Sequence, residues 1–283
     1  MTLSRAQLDE YQSRGYLAVR KVCAADEVRE LQAVTDEFVE QSRQVSGHTE
    51  VFDLEPGHSF EEPRLRRVKK PHLRHPAYDR ALRNETLLHV LRQLLGDGIR
   101  YLNTKLNLKS PEFGSPVEWH QDWAFYPHTN DDVLAVGIAI DDMMVKNGCL
   151  MVVPGSHRGP VHDHHQDGYF VGAVDAEGLA EDAVPIELSA GDVSIHHARL
   201  LHGSAPNRST RPRRFLLFEY AAADAWPLVN FTDWSEFNSR LLCGEPVSSP
   251  RLTAVPARIP LPTHPREGSI YEVQSTLARS AFK

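Results

Sequence analysis

Fifteen histidines stand in this chain of 283 residues. The place where one of them could do chemistry is the run Trp119-His120-Gln121-Asp122. It closes a segment, 117–122, with the texture of a β-strand. Residues two apart on a strand share a face, so His120 and Asp122 can reach one metal ion. A third ligand must come from a distant strand, and residues 191–204, GDVSIHHARLLHGS, offer His196, His197 and His202. Two imidazoles and a carboxylate on one face of an ion leave the other positions open, the facial arrangement of non-haem Fe(II) oxygenases. His-x-Asp is a weak signature alone, and His165-Gln166-Asp167 repeats it. That copy lies in the polar stretch 161–168, with His162, His164 and His165, which reads as a solvated loop near the site mouth. Ligands there would be held less rigidly than on strands.

The elements that must position these residues follow from periodicity. Residues 1–98 read mostly helical. Ser4 with Gln7 has the form of a capping box, and Gly15 marks a stop. A short strand is expected at 16–22. Val28, Leu31, Val34 and Phe38 form one stripe of a helix from 25 to about 45, and 47–63 reads as a loop. A helical pair is expected over 76–95, with Leu87, Leu88, Val90, Leu91, Leu94 and Leu95 inward. After residue 98 come short apolar or alternating runs at 99–109, 117–122, 134–140, 150–153, 193–197 and 214–220, separated by turn signals. Such a pattern predicts a sandwich or barrel with helices packed outside it. The proline-rich residues 223–283 predict an extended strap, with disorder as the alternative. The expected organisation is a single domain: a mostly helical outer layer (1–98), a β core (99–222) and the strap.

Residues 119–157, WHQDWAFYPHTNDDVLAVGIAIDDMMVKNGCLMVVPGSH, and 202–220, HGSAPNRSTRPRRFLLFEY, resemble the phytanoyl-CoA dioxygenase family of Fe(II)- and 2-oxoglutarate-dependent oxygenases. The resemblance covers roughly 5–225. It implies a mainly β fold with flanking helices around a double-stranded β-helix, the cupin-like jelly roll. It also implies iron(II) on His120, Asp122 and His202, with His196 and His197 as alternatives to His202 or as supports behind the ligands. Cosubstrates would be 2-oxoglutarate and O2. Arg213, eleven residues beyond His202, matches the family's arginine for the far carboxylate of 2-oxoglutarate, a task suited to a bidentate, always-charged group. Alternation puts Arg214 on the opposite face as a surface charge. Ser204 resembles a serine that donates to the same carboxylate, although a turn role fits it as well. Lys69 matches a family lysine near cosubstrate or substrate.

The alternating strand 99–109 adds Asn103, Lys105 and Asn107, which either face the barrel mouth or lie on the outer surface. Asn103, Lys105 and Thr129 are assigned with Lys69 to the cosubstrate. Trp119, Trp123, Phe125, Tyr126 and Asn107 are assigned to the substrate pocket. The implied reaction is hydroxylation of an unactivated C–H bond with release of succinate and CO2. Asp122 favours it over halogenation, because halogenases of this wider group lack the carboxylate.

A net charge of -7 argues against nucleic acid as a partner. No apolar run approaches the ~20 residues of a membrane span. Three cysteines suit a reducing compartment. No signal-peptide pattern opens the chain, and no peroxisomal tripeptide closes it at Ala281-Phe282-Lys283, so a cytoplasmic location is expected. Six basic residues within 64–75, together with Lys105, lean toward a small anionic substrate; a solvated basic face is the bland alternative. The rival functions are a cupin-like metal-dependent isomerase or hydrolase and a non-catalytic binding protein on the same fold. Iron content and 2-oxoglutarate decarboxylation separate them.

Overall fold

A computed structural model describes residues 1–230, 233–260, 262 and 269–282. His264 and Pro265, expected in the surface strap, lie outside the described residues. Helix α1 (Arg5–Arg14) opens on the expected box: Gln7 N donates to Ser4 Oγ at 3.3 Å and Ser4 N donates to Gln7 Oε1 at 2.9 Å. It ends at Gly15, whose φ of 81° disfavours any side chain. Then follow β1 (Tyr16–Val19), α2 (Ala25–Ser42), β2 (Phe52–Leu54), β3 (Leu65–Lys69), α3 (Pro76–Leu82) and α4 (Glu85–Leu95). The core strands are β4 (Ile99–Lys109), β5 (Val117–His120), β6 (Val133–Ala139), β7 (Leu150–Val152), β8 (His165–Gln166), β9 (Tyr169–Phe170), β10 (Val184–Ile186), β11 (Val193–His197), β12 (His202–Ser204) and β13 (Arg213–Ala222). Helix α5 (Trp234–Ser239), β14 (Leu241–Cys243) and α6 (Ile270–Gln274) complete the described elements.

Two antiparallel sheets form the jelly roll. The larger runs β1-β11-β6-β13-β4-β3-β2, with β14 on β4; the smaller runs β10-β7-β12-β5. Every residue of β13 is buried, because it has a wall on each side. Arg213, Phe215, Leu217 and Glu219 face the cavity between the sheets. Leu216, Phe218 and Tyr220 join the core beneath the helices, with Val28, Leu31, Val34 and Phe38 of α2 and Leu87, Val90 and Leu91 of α4. Each such side chain, fully buried, is worth roughly 1.5–3 kcal/mol.

Several expectations shift. Beyond the expected strand β1, residues 1–98 also supply β2 and β3, and β2 falls inside the expected loop 47–63. The outer layer is therefore partly woven into the large sheet. Strands β10 and β12 have three residues each, too short for alternation to reveal them. Asp122 does not lie on the strand: β5 ends at His120, and Asp122 opens a 3-10 turn over Asp122–Ala124. The C-terminal region carries α5, β14 and α6, although 251–260 has no helix or strand and bonds through Arg251 N to Asp224 O and Thr253 N to Thr129 O.

Candidate metal centre and cosubstrate pocket

His120 on β5 and His202 on β12 are register partners, so sheet pairing alone brings their rings to 4.1 Å between centroids. The 3-10 turn carries the Asp122 carboxylate to the same point. Its Oδ1 lies 3.6 Å from His120 Nε2 and 3.9 Å from His202 Nε2, and one ligand atom from each residue falls within 4.8 Å of the others. Each imidazole is oriented from behind: His120 Nδ1 donates to Glu118 O and His202 Nδ1 to Leu200 O, both at 2.8 Å. A carbonyl can only accept, so Nδ1 carries the proton and Nε2 presents its lone pair inward. Burial and the neighbouring His120 and His196 hold the His202 pKa well below the ordinary value. Burial alone would raise that of Asp122, but His202, His120, His196 and Lys105 hold it well below the carboxylate range. Two neutral nitrogens and one anionic oxygen, buried and convergent, fit a divalent transition metal.

His196 lies in the cavity with Nε2 at 3.5 Å from Asp122 Oδ2, and neither ring nitrogen has a hydrogen-bond partner among the described residues. His197 points outward, with Nε2 at 3.9 Å from Asp131. His164 is buried, not solvated as the loop reading expects. It accepts from Gln121 N and donates to His162 O, both at 2.8 Å, and so braces the backbone between His120 and Asp122. Among the described residues the metal-ligating cluster found is His120, Asp122 and His202, and the second His-x-Asp copy forms none.

A cavity extends from this centre between the sheets. At its far side Arg213 is 3% exposed, makes no ion pair among the described residues, and leaves Nε without a partner. Arg214 faces the other way, buried against Asp141 and Asp36 at 2.6 Å each, and ties β13 to α2; it is not the free surface charge expected. Ser204 Oγ accepts from Lys109 Nζ at 2.8 Å, which leaves its own proton available to donate. Lys109, completely buried, is spent on Ser204 and the Ala205 carbonyl; burial and the nearby Arg213 push its pKa well down. A buried guanidinium with an unpartnered Nε, beside a serine hydroxyl free to donate, fits a carboxylate arriving from the cavity.

Lys105 and Asn107 line the cavity as the alternation predicts. Lys105 Nζ pairs with Glu219 at 2.8 Å; burial opposes its charge, but Glu219 and Asp122 hold its pKa above the ordinary value. Asn107 Oδ1 accepts from Arg67 Nε at 3.1 Å. Tyr126 sets its phenol toward Asp122 and Glu219, which with burial raise its pKa, and Phe125 packs edge-on against His120 at 5.8 Å.

Other assignments are corrected. Lys69 is drawn aside to Asp53 at 2.8 Å and the Thr49 carbonyl, and Arg67, one pleat away, lines the cavity instead. Asn103 is exposed at a separate side cavity, with its Oδ1 accepting from Thr104 N. Thr129 Oγ1 accepts from Trp226 N, away from the centre. Trp119 alternates with His120 and faces outward, stacked on Phe282 at 5.6 Å. Trp123 is buried in the core beneath and donates to Pro256 O. Sequence reasoning missed Glu219, Arg67 and Ile270 as lining residues. An acid in the apolar run RRFLLFEYAA was the available signal for Glu219.

A jelly roll with this triad and an unpaired buried arginine defines the class of iron- and 2-oxoglutarate-dependent oxygenases. A family model described as Phytanoyl-CoA dioxygenase (PhyH) matches residues 11–215. The chain belongs to this family, and it is an Fe(II)- and 2-oxoglutarate-dependent dioxygenase. It is 38% identical, over 98% of its length and 99% of the relative's, to a probable alpha-ketoglutarate-dependent hypophosphite dioxygenase of Stutzerimonas stutzeri. The crystal structure of EctD from S. alaskensis with bound Fe superposes with a TM-score of 0.69 at 25% identity, over 89% of this chain and 87% of that one. The same enzyme with 2-oxoglutarate and 5-hydroxyectoine gives 0.63 at 26%, over 78% and 77%. Among the described residues no helix is long and apolar enough to cross a membrane.

Proposed function

We propose that His120, Asp122 and His202 hold the iron, that Arg213 and Ser204 hold the far carboxylate of 2-oxoglutarate, and that the oxidised substrate is a small anion met by Lys105. The observation that carries this reading is the shared cavity: the triad and an arginine without an acid partner line one space between the sheets. Bound there, the metal and cosubstrate supply oxygen activation coupled to decarboxylation, with release of succinate and CO2.

The chain's own residues do the placing. The backbone acceptors at Glu118 and Leu200 aim the imidazoles. Phe215, Leu217 and Leu150 give the cavity an apolar wall that excludes water, so charges inside it interact strongly. Glu219 anchors Lys105 on the strand row next to Asp122, where a bound anion would meet an ammonium already oriented. A relative named for hypophosphite makes a P–H bond a candidate beside the C–H bond expected from sequence. The cysteines Cys23, Cys149 and Cys243 are free, which suits a single-domain enzyme of the reducing cytoplasm.

The test is succinate release by the Fe(II)-loaded protein with hypophosphite, phosphite, small phosphonates and carboxylates, set against neutral and cationic compounds of similar size. Anions are expected to stimulate turnover. Stimulation confined to neutral or cationic compounds would overturn the anionic reading.

A further inference from the structure

Helix α6, Ile270–Gln274, lies more than fifty residues beyond the span matched by the family, which ends at residue 215, yet it touches the cavity. It starts at Ser269, whose N donates to Glu272 Oε2 at 2.8 Å. Glu272 pairs with Arg66 and with His48 at 3.4 Å. Gln274 accepts from Glu118 N at 2.9 Å, on the strand that carries His120, and donates to Gly172 O at 2.8 Å. So fixed, the helix presents Ile270 to the cavity and lays the buried ring of Tyr271 beside two guanidiniums. Arg66 is 4.5 Å and Arg67 5.3 Å from the ring centroid.

Arg67 is the one of the two that lines the cavity, where Asn107 holds its Nε and the Asp53 carboxylate lies 4.0 Å from its Nη1. Register places Arg67 opposite Asn107, and Asn107 opposite Phe215, one pleat from Arg213. Arg67 is therefore nearer the Arg213 end than the Glu219 end, which abuts the metal centre. The Tyr271 hydroxyl is buried and has no partner among the described residues, so the ring's stacking is the contact through which it acts.

We propose that the C-terminal helix is part of the cosubstrate site: Arg67 is a second cationic contact for the far end of 2-oxoglutarate, and Tyr271 is the positioning residue that holds it there. This rests on the placement of 2-oxoglutarate against Arg213 proposed above. A guanidinium on an aromatic face loses part of its rotational freedom before the ligand arrives, and desolvation strengthens the contact.

The experiment is anaerobic calorimetric titration of 2-oxoglutarate into the full-length Fe(II) protein and its variants, with KM and kcat measured in parallel. Arg67→Ala is expected to raise the dissociation constant at least about 20-fold. Tyr271→Leu, which keeps bulk but removes the π face, is expected to raise it about 5- to 10-fold. Its effect should appear in KM for 2-oxoglutarate with little change in kcat. Tyr271→Phe, which restores the face, should bind within about twofold of wild type, and it keeps the test decisive if the leucine variant folds poorly. Affinity unchanged in Arg67→Ala and Tyr271→Leu, or a change confined to the KM of the oxidised substrate, would overturn the inference. Loss of affinity in Tyr271→Phe equal to that in Tyr271→Leu would overturn the stacking role. Arg213→Ala separates the two levels: retained affinity there overturns the placement of 2-oxoglutarate and this inference with it, whereas affinity lost there but kept in the other variants overturns this inference alone.

Discussion

The smaller sheet places His120, His202 and Ser204 on strands of three or four residues, whereas the larger sheet carries its charges on β4 and β13, eleven and ten residues long. A short strand fixes a Cα but not a side chain. Each metal-facing imidazole accordingly has its own backbone acceptor, and the peptide between His120 and Asp122 is braced by His164. On the larger sheet the ladder sets the spacing, and partner side chains set direction: Glu219 for Lys105 on β4, Asn107 for Arg67 on β3. Arg213 has no acid partner among the described residues. One wall thus presents two neutral imidazoles and one carboxylate held rigidly, and the other presents charges already paired except where a ligand carboxylate would complete the pair.

The largest effects should come from the metal wall. Asp122→Ala or His202→Ala is expected to abolish iron binding and reduce succinate release more than about 100-fold, since even the outer partners of metal ligands are worth 10–100-fold. Metal analysis beside turnover checks it, and full iron occupancy in either variant would remove that residue from the ligand set. On the charged wall, adjacent arginines should part company. Arg213→Ala is expected to raise KM for 2-oxoglutarate about 100-fold, as for loss of one partner of a buried charge pair. Arg214→Ala should leave KM unchanged and lower stability by about 2 kcal/mol in urea unfolding, through lost charged hydrogen bonds to Asp141 and Asp36. Equal effects of the two on KM would contradict the alternation of β13. A smaller effect is expected at Lys105→Ala: about a tenfold rise in KM for an anionic substrate, with more 2-oxoglutarate consumed per product formed.

Legibility in the sequence follows the same division. The period-2 pattern of a long strand separates Arg213 from Arg214 and puts Lys105 with Asn107, and it would have turned Trp119 away from the centre had it been carried one residue back from His120. Short strands defeat this reasoning: β12 is His-Gly-Ser, and only the family resemblance points to His202. Lys69 and Arg67 share a face, so periodicity cannot choose between them. Asp53 on β2, within a stretch read as loop, holds the Lys69 ammonium at 2.8 Å and the Arg67 guanidinium only at 4.0 Å, and Arg67 is the one left lining the cavity. Tyr271 was out of reach because its contact with Arg67 spans some two hundred residues with no pattern linking them.

A further effect lies behind the metal wall and is read as stability against pH. His164 and His128 are buried and neutral, held mainly by burial at about 3 and about 4. In the unfolded chain both would titrate near 6.5. Below that value the unfolded state binds protons that the folded state refuses, so stability falls as pH drops. Each group contributes a slope of about 1.4 kcal/mol per pH unit, fully relieved above pH ~6.5 and ending near its folded value. Protonation of His164 would also remove the lone pair that receives Gln121 N. Metal-free His164→Asn is therefore expected to be less stable than wild type at neutral pH but to lose stability more shallowly between pH 6.5 and 4, by about 1.4 kcal/mol per unit in urea unfolding. Parallel slopes in variant and wild type would show that the brace behind the metal wall does not depend on a neutral imidazole.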